Sequence, residues 1–166
     1  MPSPTYVALA KTVLTGSQAT VTLSSIPSTY TDLILKCYVR STNASTTDNL
    51  FLQVNSLTGV YSSVYLRGSG AAVSTSTRPD FQLGLINGAT STSNTFSYVE
   101  FYFPNYTASQ HKAVSLSMAQ ENNLTTAWIN EYASLVRSTD VISSLTLTAG
   151  NFDTGSRFDL YGIKNS

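Results

Sequence analysis

Charge is scarce in this 166-residue chain. Asp, Glu, Lys and Arg together make up 11% of it and cancel to a formal net charge of zero, where about 25% is usual for a soluble domain. Nucleic-acid binding rests on Lys and Arg that neutralise phosphates and release counterions, and no basic run is present to do this. Anionic membranes are disfavoured for the same reason. Cysteine is limited to Cys37, which excludes an intrachain disulfide framework and a multi-cysteine zinc site. No apolar run approaches the roughly 18 residues of a membrane span. The start of the chain, Met1 to Val7, has neither the basic residues nor the apolar stretch of a signal peptide, so synthesis in a cytoplasm without Sec export is expected.

Histidine is limited to His111. The common routes of acid-base and nucleophilic catalysis need a His, a paired carboxylate or an activated Cys or Lys, and no Gly-x-Ser-x-Gly or His-Glu-x-x-His pattern is present. His111 reads as a surface or loop residue. Glycoside hydrolysis needs two carboxylates, but Asp32, Asp48, Asp80, Glu100, Glu121, Glu131, Asp140, Asp153 and Asp159 are scattered singly. Asn151, Asp153 and Asp159 are too sparse for an EF-hand loop, and Gly68-Ser-Gly70 lacks the third glycine of a dinucleotide motif. These residues point to no enzyme, no metal site and no cofactor.

Apolar residues and rings are plentiful: 42% of the chain is hydrophobic, with ten Tyr and seven Phe. That content argues against disorder, and a chain of this length can bury roughly 70% of its unfolded surface as one domain, here residues 1–166. Alternation of apolar and polar residues over short windows recurs from end to end, bounded by turn residues. In the clearest case Leu33, Leu35, Cys37 and Val39 line a core face while Lys36, Tyr38 and Arg40 look outward, and Ile34 on the second face implies cover there by a loop or a neighbouring subunit. Further strands are expected at residues 5–14, 19–24, 50–55, 60–67, 81–86, 95–103, 112–119, 141–148 and 156–163, a spacing that suits a β-sandwich or barrel. Residues 124–138 fit a strand or a helix, and strand is favoured. Residues 71–79, rich in Ser, Thr and Ala, read as a long loop, and residues 1–4 as an extended arm. Asn87-Gly88 is a hairpin pair whose flanks are short.

Three segments carry a resemblance. They are Ile26-Pro27-x-x-Tyr30-x-x-Leu33-x-Leu35; Asn55 with Gly59-x-Tyr61-Ser62 and Leu66-x-Gly68-x-Gly70; and the closing Asn151-Phe152-x-x-Gly155-Ser156-Arg157-Phe158-x-Leu160-Tyr161-Gly162-Ile163. Together they resemble short β-sandwich proteins of tailed phages and environmental viruses. The resemblance implies an all-β, jelly-roll-like antiparallel sandwich that serves the virion as a capsid decoration (cement) protein or as a tail or fibre module, often trimeric. From its first and last residues the chain is expected to be free-standing, which favours decoration: a homotrimer on the capsid exterior, bound to the major capsid protein or other virion proteins, stabilising the shell by binding rather than turnover. The alternative is a tail or fibre-tip module that holds a host-surface glycan.

A neutral surface is poorly protected against self-association, and exposed apolar patches mark contacts. The partner interface is expected at the arm, Met1, Pro2, Ser3, Pro4 and Tyr6, and at the aromatic strand carrying Phe101 and Phe103. In the closing segment Gly155 is expected to shape a tight turn, Phe158 and Leu160 to fill the core, and Gly162 to allow close packing. Arg157 is expected to pair with Asp32 or Glu100.

Overall fold

A computed structural model describes residues 5–123 and 127–164. Among them lie twelve strands and no helix, and every strand pairing is antiparallel. Of the sandwich or barrel that the strand spacing allows, the chain forms an all-β antiparallel sandwich. The strands are β1 (Tyr6–Val13), β2 (Gln18–Leu23), β3 (Asp32–Val39), β4 (Thr47–Val54), β5 (Tyr61–Gly68), β6 (Val73–Arg78), β7 (Gln82–Asn87), β8 (Ser97–Phe103), β9 (Lys112–Gln120), β10 (Trp128–Val136), β11 (Leu145–Phe152) and β12 (Arg157–Ile163). They form a larger sheet, β1-β12-β3-β8-β9-β10-β5-β6, and a smaller one, β2-β11-β4-β7.

Eight strands nest like one long folded hairpin: β1 with β12, β2 with β11, β3 with β8 and β4 with β7. Successive pairs fall alternately in the two sheets. The remaining four strands extend the larger sheet beyond β8. The smaller sheet ends at β7, whose Gly84 runs at φ +101° close to the Met118 sulfur on β9 and the Tyr132 hydroxyl on β10. The larger sheet therefore extends past the smaller one; Tyr61 of β5 still joins the core, stacked on Phe81 and bonded to Val54 of β4, while the side chains of β6 are exposed apart from half-buried Arg78.

Alternation fixes which residues fill the space between the sheets. Leu33, Leu35, Cys37 and Val39 of β3 face inward and are buried as expected, against Leu50, Leu52 and Val54 of β4 and Leu145 and Leu147 of β11. Phe152 and Phe158 meet edge to face, with centroids 5.1 Å apart. Burial pushes the Cys37 thiol pKa up, which keeps it protonated and inert. Phe158 and Leu160 lie in the core, Gly155 adopts φ +85°, and a Cβ on Gly162 would stand 2.5 Å from the Tyr30 ring, so the closing segment packs as expected.

Several expectations are corrected. Residues 73–78 form a strand rather than a loop; its side chains are exposed on both faces apart from half-buried Arg78, so no apolar face betrays it. Trp128–Val136 is a strand, as favoured, while residues 124–126 lie outside the described residues. β11 begins at Leu145 rather than at 141, because Ile142 is buried in the loop before it, its N–H donating to Tyr106 O. Asn87 ends β7 and the chain crosses to the other sheet, so Asn87-Gly88 turns no hairpin. Ile34 is buried within the single chain, in register between Tyr161 and Tyr102.

Candidate interaction surface

The outward side chains of the larger sheet form rows, because residues opposite one another on neighbouring strands share a face. One row crosses the sheet as Lys11, Asp159, Lys36, Glu100, Ser117, Glu131 and Leu66. Its charges alternate in sign over β1, β12, β3 and β8. Lys36 Nζ lies 3.3 Å from Glu100 Oε2, and Arg157 from the row above pairs with Asp159. The expected pairing of Arg157 with Asp32 or Glu100 is thus corrected, since Asp159 two residues along the same strand is nearer to hand.

Around that row stands a tyrosine wall. Tyr38 and Tyr98 are exposed, and Tyr38 stacks on Phe96 with centroids 4.9 Å apart. Tyr98 donates to Glu100 Oε2 at 2.7 Å; burial first, then this carboxylate, pushes its hydroxyl pKa up. Tyr102 donates to Asp32 Oδ2 at 2.8 Å, and that bond to a carboxylate, ahead of burial, likewise pushes the Tyr102 pKa up.

The other half of the face, over β9, β10, β5 and β6, has a different character. β9 presents Ala113, Ser115, Ser117 and Ala119, all exposed. Beside this low strip stand Ile129, Val64, Leu66 and Val73, exposed at 59%, 49%, 49% and 72%. Glu131 brings a charge to this half and accepts from Ser117 Oγ at 2.6 Å. Single exposed aliphatics are ordinary, but four of them grouped beside a strip of alanine and serine make a contiguous apolar patch of the kind that marks contacts.

Phe101 and Phe103, expected at a partner interface, are fully buried between the sheets with stacked rings. This corrects the expectation: their strand turns Tyr98 and Tyr102 outward instead, and a side chain without exposed surface cannot touch a partner. The charge of Glu100, two residues from each of those tyrosines, marked the wet face of the strand. Tyr6 is exposed on edge strand β1, with its ring 6.3 Å from that of Tyr161. Met1, Pro2, Ser3 and Pro4 lie outside the described residues. Leu66 belongs to one of the segments that carry the resemblance, while Val64 and Ile129 stand in no motif, although each of the three falls at an outward position of its alternating strand.

No protein-family model matches this chain, and no curated protein matches it. What the chain does has to be argued from its own surface.

Asp32, Asp48 and Asp153 are held by the scaffold. Among the described residues no group of three or more His, Cys, Asp or Glu could hold a metal ion. His111 is exposed. Asp32 accepts from the Asn105 N–H at 2.8 Å as well as from Tyr102. Asp48 is buried beside Ser41, Asn43 and Gly150. Burial alone would raise its pKa, but bonds from Ser41, Asn43 and the N–H groups of Gly150 and Asn49 together hold it below the ordinary carboxylate value. Asp153 lies 3.8 Å from the buried Arg40 guanidinium. Arrangements of this kind anchor loops.

Proposed function

We propose that this chain is a structural protein that works by docking, most simply as a trimeric decoration protein on the outer surface of a tailed-phage capsid. The observation that carries the reading is the apolar half-face around Val64, Leu66, Ile129 and Val73, exposed on the outer side of the larger sheet. Low charge and zero net charge favour close association of like copies, since little repulsion opposes it. The nested strand pairing supports a jelly-roll reading of the sandwich, with four further strands in the larger sheet, and that reading is what the resemblance to virion proteins implies. Contacts made through several copies add by effective concentration, so each can be modest. Cryo-electron microscopy of the particle that carries the protein tests this reading. Copies on the shell at capsid symmetry axes support it, whereas density confined to the tail overturns it.

A second reading, a tail or fibre-tip module that holds a host-surface glycan, is favoured by the exposed rings of Tyr38 and Tyr98 on the larger sheet, since amphipathic rings suit polar ligands that also present C–H faces.

A further inference from the structure

The strands that carry the apolar patch on their outer face turn a different set of residues inward, among which Tyr65, Arg67 and Trp128 are half-buried. Arg67 stands at the centre of this shelf. Its Nε donates to Asn130 Oδ1 at 2.7 Å, and its guanidinium carbon lies 5.3 Å from the Tyr65 ring centroid and 5.5 Å from that of Trp128. Arg78 lies 5.6 Å from the same Tyr65 ring. Ser74 and Ser76 of β6, opposite Arg67 and Tyr65 in the register, are exposed.

Three features separate this cluster from an ordinary surface arginine. First, the inward positions of β10, β5 and β6 hold two arginines and no carboxylate; among the described residues no ion pair involves Arg67, and the nearby Glu121 carboxylate accepts from the N–H groups of Asn122 and Asn123. Second, Arg67 is fixed in place by two rings and a hydrogen bond on Nε, with the Tyr132 hydroxyl beside its guanidinium, so an oxyanion would share the forked end with that hydroxyl. Third, Asn130, which holds it, is fully buried and its Nδ2 has no hydrogen-bond partner. A buried amide left half-satisfied is costly, and the bond that Asn130 does make serves to aim Arg67.

We propose that this shelf binds an acidic saccharide. The sugar carboxylate takes the Arg67 fork, a ring C–H face lies on the half-exposed Trp128 indole, and hydroxyls reach Ser74 and Ser76. A peptide carboxylate would satisfy Arg67 equally, but the shelf offers rings and hydroxyls where a peptide side chain would need an apolar pocket. The inference deepens the glycan-binding reading and rests on it for its setting, while the docking face stays free on the opposite side of the same strands.

Titration calorimetry of the full chain with 3′-sialyllactose, trigalacturonic acid, lactose and sodium sulfate tests it. At least one acidic saccharide should bind, Arg67→Ala and Arg67→Lys should each weaken it by about tenfold or more because an ammonium cannot fork, and Trp128→Phe should weaken it severalfold. Should Arg67→Ala fail to fold, Arg67→Lys and Trp128→Phe carry the test, with melting temperatures confirming the fold. Lactose binding as tightly as the acidic sugars, or acidic sugars binding with no loss in the Arg67 variants, leaves glycan binding standing and overturns the shelf. Sulfate binding as tightly as the sugars overturns it in favour of simple charge attraction. No saccharide binding at all removes both the shelf and the glycan reading.

Discussion

Arg40 is the side chain on which the loop from Gly88 to Phe96 is built. It is 6% exposed, and its two terminal nitrogens donate to the carbonyls of Ala89, Ser91, Thr92 and Thr95 and to Thr95 Oγ1. Removing it strands those acceptors, of which Ser91 is buried and the others partly so, and losing a buried charged donor costs about 3 kcal/mol. Arg40→Ala should lower the unfolding free energy by about that amount in urea denaturation, and Arg40→Lys should recover little, because one ammonium cannot reach acceptors spread around a loop. Asp48 makes a case for pH. Its folded pKa lies below the ordinary value of 3.8, so the stability it contributes is complete above about pH 4 and is lost as pH falls through the lower folded value. Thermal melts from pH 7 to pH 2 should show the parent losing part of its stability in that acid window. Asp48→Asn should start lower at pH 7 and lose less on acidification; an acid limb as steep as the parent's would assign the effect to other carboxylates.

At the scale of the strand, β8 shows what alternation decides. Phe101 and Phe103 are fully buried while Tyr98, on the other face, is 39% exposed. Phe101→Ala should therefore cost about 3–5 kcal/mol through a core cavity, and Tyr98→Ala under about 1 kcal/mol; equal losses in chemical denaturation would contradict this division of faces. The same alternation made β3, β9 and β12 legible in the sequence, since each has one apolar and one polar face. It could not reveal β6, whose Ser and Thr side chains meet solvent on both sides, because a strand without a dry face leaves no periodic trace. Nor could it reveal the shelf, where Arg67 and Asn130 become neighbours only through the pairing of β5 with β10, a contact between residues 63 apart in the chain. The nested order of strands is long-range in the same way: β1 and β12 come from opposite ends, and no local signal states which strands will meet.

The whole molecule poses a question of area. A stable protein–protein contact takes roughly 800 Å² from each partner, about a tenth of this chain's 8099 Å² surface. Four strands spaced about 4.8 Å apart and about seven residues long cover a flat footprint of roughly 450 Å², so the apolar half-face alone is a marginal contact between two copies. In a closed ring each copy makes two contacts, and the second forms at high effective concentration once the first is made. Association should therefore be cooperative, with light scattering moving from the 17.9 kDa monomer to its trimer over a narrow concentration range. Because the patch holds Ile129, Val64 and Leu66 and little charge, sodium chloride up to about 0.5 M should leave that transition in place, where a contact built on ion pairs would weaken. Leu66→Lys and Ile129→Lys should hold the protein monomeric at every concentration while changing unfolding free energy by less than about 0.5 kcal/mol, since both side chains are already in solvent. If both variants still assemble like the parent, the contact lies elsewhere, and the exposed tyrosines of β3 and β8 become the face to mutate next.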